Sequence, residues 1–257
     1  RNLENITIER TKQHWTLNDS LVANQYSVNL LLKTIKEMRV KNPVARSALN
    51  NIIQRMGIQN TKVTIYKEKK DSKTIFIGGE TADQLGTFMM LEGAKEPYVI
   101  HIPGFNGYLS SRFNCKEKLW RDKKIFRNTN EIYYSSHNKS LPKSNLSLNN
   151  WVKTNTNNLK NTYCERFLTQ SLLEEIKTRQ PFIIFQSEFD EKQNYFYCYR
   201  KKPPNKDKYK MNNYDQERFY IIQGNTLMLV QYNQFNNFIS SENNITNFKP
   251  QENIAKY

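Results

Sequence analysis

The sequence is poor in the residues that most often carry chemistry. Its 257 residues include three cysteines, Cys115, Cys164 and Cys198. They are widely spaced and contain no Cys-x-x-Cys pair, so neither a zinc site, nor a thiol-exchange motif, nor a disulfide framework is indicated. Isolated cysteines of this kind usually fill buried space, although one pair could still bridge in an oxidising compartment. The three histidines, His14, His101 and His137, are equally scattered, and His101 falls in a strand-like run, where packing or hydrogen bonding is the usual role. No paired carboxylates stand out. Glu174 and Glu175 sit beside Lys177, the pattern of a solvated helix face with intrahelical pairing. The Walker phosphate loop, the dinucleotide fingerprint, His-Glu-x-x-His and Gly-x-Ser-x-Gly are all missing. The sequence thus offers no catalytic residue, no cofactor site and no metal site, and the expectation is a protein that binds and is not an enzyme.

No run of about 18 apolar residues is present, nor a signal-peptide pattern. The chain opens on Arg1, and strand-like alternation is under way by residues 5–10. Further sequence is therefore expected upstream.

What the sequence does hold is positive charge and aromatic rings. The formal net charge is +15, from 39 Lys plus Arg against 24 Asp plus Glu. Such an excess steers anionic partners but also suits a solvated, Lys- and Asn-rich surface, and it does not choose among nucleic acid, anionic lipid and cell-wall polymer. With 37% apolar residues, 12% aromatics, 15 Tyr and 14 Phe, the core should be rich in β-structure and rings.

Periodicity places the elements. Residues 6–8 alternate as a strand, and 15–18 read as its continuation or partner. Val28, Leu31, Leu32 and Ile35 share one helical face, predicting a helix over 27–39. A second, over 45–56, is expected to end at Gly57 as its C-cap. Four strand-like runs follow at 63–66, 74–77, 87–91 and 98–102, with the look of a meander. Pro103-Gly104 breaks the last, and 108–113 reads as a short helix or turn closing the unit.

The second half repeats this order. Phe88-Met89-Met90-Leu91-Glu92-Gly93 lies over Phe219-Tyr220-Ile221-Ile222-Gln223-Gly224, and Phe105-Asn106-Gly107-Tyr108-Leu109-Ser110 over Phe235-Asn236-Asn237-Phe238-Ile239-Ser240. Upstream, Leu31-Leu32 with Ile35-Lys36 matches Leu172-Leu173 with Ile176-Lys177, 63–66 matches 182–185, and 195–199 supplies the remaining strand. The fold class expected is α+β: two diverged tandem repeats, each a mostly antiparallel four- to five-stranded sheet with one or two helices packed on it. The boundary falls near 126–131, giving domains 1–127 and 128–257, the second with a long basic hairpin loop at about 201–216.

Three segments are candidates for function. Gly78-Gly79 follows a strand but lacks the helix and Lys of a phosphate cradle, so it reads as a turn or bulge. In Pro103-Gly104-Phe105-Asn106-Gly107-Tyr108 the glycines permit a sharp turn that can present Phe105, Asn106 and Tyr108 for recognition. The bland alternative is that both rings plug the base of the sheet, which the persistence of Phe105 as Phe235 favours. The third is the stretch Arg112, Lys116, Lys118, Arg121, Lys123, Lys124 and Arg127 with Phe113, Trp120 and Phe126 interleaved. It suits an acidic partner or nucleic acid, unless Trp120 is buried beside its neighbours. The candidate partner-binding residues are Phe105, Asn106, Tyr108, Arg112, Trp120, Arg121, Lys123 and Lys124.

The residues from Gly78-Gly79-Glu80-Thr81 through Gly86-Thr87-Phe88, then Pro97-Tyr98-Val99-Ile100-His101-Ile102-Pro103-Gly104-Phe105, Ser110-Ser111-Arg112-Phe113 and Trp120-Arg121-Asp122-Lys123 carry a resemblance. Together with Arg10, Trp15, Leu31-Leu32 and Val40-Lys41-Asn42-Pro43-Val44, they resemble Bacteroidota envelope proteins grouped as domain-of-unknown-function family number forty-three forty, over about residues 5–127. The resemblance implies an N-terminal hydrophobic anchor upstream of this chain, a domain outside the cytoplasmic membrane, and a link to the auxiliary subunit of a gliding-type ABC transporter. It transfers no catalytic residue, and the second half departs from the pattern. The expectation is a membrane-tethered protein of the bacterial cell envelope, facing the periplasm. It would act as an accessory or scaffold within a larger envelope complex for transport or secretion. The rival is a binding protein or enzyme for an anionic polymer, cell-wall glycan or nucleic acid, with nucleic acid the less favoured.

Overall fold

The structure, a computed structural model, describes residues 5–67, 71–127, 129–136, 151–189, 192–203 and 214–241. The protein is α+β with antiparallel sheets of three, five and seven strands, and it divides into two compact units, Arg1–Asp122 and Lys123–Tyr257.

In the first unit β1 (Ile8–Arg10), β2 (Trp15–Leu17) and β3 (Leu21–Val22) form a small sheet in that order. The 15–18 run is thus the antiparallel partner of the first strand, Arg10 opposite Trp15. Helix α1 (Gln25–Glu37) starts two residues before the periodicity suggests, because the Asn24 side chain accepts from the Ser27 N–H at 3.0 Å and caps it. It ends two residues early, because Arg39 Nη1 donates to the Lys36 and Met38 carbonyls, each at 2.8 Å. Arg39 then opens an unforeseen strand, β4 (Arg39–Pro43), exposed throughout; its Pro43 is tolerated because the strand lies at a sheet edge.

Helix α2 (Arg46–Ile58) runs through Gly57, so Gly57 is not the C-cap; the helix closes one residue beyond Ile58, where the Gln59 N–H donates to the Arg55 carbonyl. Strands β5 (Thr61–Lys67), β6 (Asp71–Glu80), β7 (Thr87–Leu91) and β8 (Tyr98–His101) form the expected meander, and β4 adds beside β8 to give the order β4-β8-β7-β6-β5. Gly78-Gly79 lies within β6 at a register shift between Ile77 and Glu80, a bulge and not a turn. A Cβ on Gly78 would stand 2.8 Å from Met56 Cγ, so α2 packs here against bare backbone.

Both faces of this sheet are covered, which is why its strands read as apolar runs. Ile77, Met89 and Ile102 pack with Leu31 and Ile35 of α1, while Phe76, Phe88, Met90 and Val99 pack with Ile52 and Met56 of α2.

The second unit contains β9 (Glu131–Ser136), β10 (Val152–Thr154), β11 (Arg166–Phe167), helix α4 (Gln170–Lys177), β12 (Ile183–Phe189), β13 (Lys192–Arg200), β14 (Arg218–Gln223), β15 (Thr226–Gln231) and helix α5 (Asn236–Ser241); the short α3 (Glu117–Trp120) belongs to the first unit. The sheet here is seven-stranded, larger than expected, in the order β10-β9-β12-β13-β14-β15-β11. One face is a cluster of rings: Phe185 lies 5.5 Å from Phe126, 5.8 Å from Phe235 and 5.2 Å from Phe238. Cys198 sits fully buried in this cluster, and burial pushes its thiol well up, as befits a core filler. On the other face α4 buries Leu173 and Ile176 against Tyr199, Tyr220 and Leu229. Its outer side carries the foreseen pairing of Lys177 with Glu174, and Arg179 adds a pair with Glu175. Of the basic loop at 201–216, residues 204–213 lie outside the described residues, as does His137.

Candidate functional site

The turn after β8 is built by its sequence. Ile102 O accepts from the Phe105 N–H at 3.0 Å across Pro103 and Gly104, and Gly104 has φ 79°, the proline-then-glycine arrangement of a type II turn. A Cβ on Gly107 would meet the Phe105 ring at 3.0 Å, so glycine there lets the ring fold over the chain. The far end is pinned inside the unit: the Leu109 N–H donates to Thr87 Oγ1 at 2.7 Å, both groups buried.

Arg112 sets the pose of the turn. Its Nη1 donates to Thr34 Oγ1 at 2.9 Å, and its guanidinium lies 4.4 Å from the centroid of the Phe105 ring. Thr34 is fully buried on α1, and its hydroxyl donates to the Leu30 carbonyl at 2.7 Å, so helix, arginine and ring form one chain of contacts. Phe105 and Tyr108 remain 37% exposed, with Asn106 exposed between them. The expectation that both rings plug the sheet fails: the turn stands off the core on a half-buried arginine, whereas Phe235, its counterpart in the sequence comparison, is fully buried.

Beside Arg112 is a cavity of about 100 Å³ lined in part by Leu30, Leu31, Asn114, Leu119 and Trp120. It is well below the roughly 300–1,000 Å³ of small-molecule sites and is the size of one inserted side chain. Leu119 stands exposed at its rim. Trp120 is 5% exposed and donates its Nε1–H to the Asn114 carbonyl at 2.6 Å. It is therefore a wall of the cavity and cannot serve as an exposed stacking ring, because its faces are covered; its indole N–H is held by the backbone.

The basic stretch is divided between the units. Lys116 and Lys118 are exposed, and Arg121 lies 4.0 Å from Glu117 in the first unit. In the second unit Lys123 donates to the Glu165 carbonyl at 2.7 Å and Lys124 bridges to Tyr163 through the backbone. The structure thus brings Phe105, Asn106, Tyr108 and Arg112 together at one turn, sets Trp120 in the wall of the cavity beside Arg112, and gives Arg121, Lys123 and Lys124 other surroundings. Thr34, Leu30 and Asn114 were not foreseen; a lone threonine on the apolar face of an amphipathic helix was the available signal for the first. Among the described residues no group of His, Cys, Asp and Glu is placed to hold a metal ion, and no helix is long and apolar enough to cross a membrane.

These features define an α+β protein of antiparallel sheets that presents an arginine-braced aromatic turn. The chain belongs to the family described as Domain of unknown function (DUF4340), whose model matches residues 15–174, more than half its length and well past residue 127, where the resemblance ends. No curated protein and no solved structure matches it.

Proposed function

We propose that the protein is a non-catalytic accessory subunit of a cell-envelope assembly, tethered to the membrane and facing the periplasm, and that its first unit docks a protein partner through the Phe105–Tyr108 turn. The observation that carries this reading is the pose of the turn: two half-exposed rings held in place by an arginine beside a cavity of one side chain's size. Aromatic residues and arginine dominate binding hot spots, and a ring already fixed loses little freedom when a partner arrives. Arg112 has no carboxylate partner among the described residues, which leaves it able to receive an acidic group. The test is affinity purification of the full-length protein from detergent-solubilised membranes, followed by mass spectrometry. Stoichiometric envelope proteins should accompany the wild type and be lost with the double substitution Phe105→Ala, Tyr108→Ala, whose side chains are not core. Recovery alone, or capture unchanged by the substitutions, refutes the reading.

We further propose that the two units are diverged copies. What supports this is strand order: β4-β8-β7-β6-β5 in the first and β11-β15-β14-β13-β12 within the second, each a strand, a helix and a four-strand meander whose last strand returns beside the first. In that alignment α4 takes the place of α2, so the likeness of Leu31–Lys36 to Leu172–Lys177 joins helices at different points in the order. Expressed apart, residues 1–122 and 123–257 should each unfold cooperatively; a unit that stays unstructured alone counts against two self-sufficient copies.

A further inference from the structure

The seven-stranded sheet carries a second aromatic surface, on the α4 side but beyond the helix. Along β13, Tyr195, Tyr197 and Tyr199 alternate with the core residues Phe196 and Cys198, so the tyrosines share the face opposite the ring cluster. Tyr199 is covered by α4, whereas Tyr195 is 37% exposed. The Trp151 ring lies 6.3 Å from that of Tyr195, and Tyr195 lies 6.4 Å from Tyr197. The register places Tyr133 of β9 and Tyr195 of β13 on either side of Gln186 of β12.

Gln186 is the unusual member. It is only 7% exposed and makes no described side-chain hydrogen bond, yet the fully buried side-chain polar atom left without a partner among the described residues is Thr154 Oγ1, so the amide of Gln186 keeps an opening to solvent. An amide carries two donors and an acceptor, and a narrow opening leaves them to water or to a ligand on the sheet surface. Here the amide sits in the floor of a ring-lined platform, facing the place a ligand would occupy.

We propose that Trp151, Tyr133, Tyr195, Tyr197 and Gln186 form a binding site for an uncharged oligosaccharide. The C–H faces of a pyranose stack on the flat rings, and its hydroxyls, each donor and acceptor at once, match the amide of Gln186 and the Tyr195–Gln193 pair, whose oxygens stand 2.9 Å apart. Charge selects against nucleic acid. Although the chain carries +15 overall, the charged groups described beside these rings are Glu131 and Glu188, opposite each other across β9 and β12, with Lys153 bonded to Glu131. Two carboxylates against one ammonium repel a phosphate backbone. This site lies in the second unit and does not depend on the docking turn of the first.

The experiment titrates the intact chain with hexasaccharides of β-1,4-linked N-acetylglucosamine, β-1,4-linked glucose, α-1,4-linked glucose and β-1,4-linked xylose, at about 0.15 M salt, by calorimetry and tryptophan fluorescence. At least one should bind. Tyr195→Ala and Gln186→Leu should each weaken it about tenfold, one lost hydrogen bond or ring contact in each case, with melting temperatures held. Gln186→Leu keeps the volume, so a glutamine that merely fills space would leave binding unchanged. Phe105→Ala should have no effect, which separates this site from the docking turn. The proposal is overturned by binding of no member of the panel, by binding indifferent to both substitutions, or by salt-sensitive binding of oligo(dT) that depends on the same rings and marks a single-strand site instead.

Discussion

Asp215 closes the stem of the long β13–β14 connection, and replacing it with alanine is expected to cost about 3 kcal/mol. Its backbone N–H donates to the Lys201 carbonyl at 2.8 Å, Lys201 Nζ reaches Oδ2 at 2.6 Å, and Oδ1 accepts from the backbone N–H groups of Glu217 at 2.8 Å and Arg218 at 2.9 Å. The carboxylate side chain is 7% exposed and the lysine 18%. Bonds to a charged group contribute about 1.5–3 kcal/mol each, but the lysine can regain water, which holds the total near the low end of about 3–5 kcal/mol for breaking a buried pair. At about 2–4 °C per kcal/mol for a chain of this size, the second unit should melt roughly 6–12 °C lower. Asp215→Asn keeps an acceptor for the two backbone N–H groups and should lose about half as much.

The loss must also depend on pH. Burial raises the Asp215 carboxyl, but the Lys201 ammonium and the two backbone N–H groups outweigh it, leaving the group below its ordinary 3.8. A carboxyl lowered in the folded state contributes fully above its unfolded value and loses that contribution as pH falls through the folded one. Urea unfolding of wild type and Asp215→Ala at pH 7 and at about pH 2.5 should therefore show a gap that narrows in acid. A gap below about 0.5 kcal/mol at pH 7, or the same gap at both, refutes the reasoning.

Phe185→Ala should cost about 3–5 kcal/mol in the unfolding of the second unit, since the ring is fully buried among Phe126, Phe235 and Phe238; chemical denaturation measures it. Gly57→Ala and Gly78→Ala should move in opposite directions. The first adds a methyl in open space within α2 and should stabilise by about 0.5–1 kcal/mol, while the second drives a methyl into Met56 and the Phe88 carbonyl and should destabilise by about 1–3 kcal/mol. Thermal melts of the pair decide between this packing and a C-cap role for Gly57. Trp120→Phe should lose about 1–2 kcal/mol by orphaning the Asn114 carbonyl, and a melt unchanged from wild type would show that the indole bond contributes nothing.

Regular repetition was legible wherever one side chain in two or in four faced a core. Val28, Leu31 and Ile35 announce α1, and the meander from β5 to β8 follows from its apolar runs and the breaks between them. β4 was hidden because none of its residues is buried, so no alternation marks it, and its identity rests on hydrogen bonds to β8. β9 had a pattern to read, Ile132 and Tyr134 inward with Tyr133 outward, but it fell where a boundary between halves was expected. β11 is two residues long and exists only by pairing with β15.

Composition and local spacing settled the α+β class, the absence of familiar catalytic signatures and the sharp turn at Pro103-Gly104, because these depend on neighbours in the chain. Which aromatic rings are buried was settled by contacts across long stretches of sequence. Phe105 stands out because Arg112 reaches Thr34 on a distant helix, Trp120 is drawn in by the Asn114 carbonyl, and Gln186 lies between two tyrosines because three strands align in one register. A ring in a sequence is only apolar surface; whether it fills a core or faces a partner is decided by what the fold brings against it.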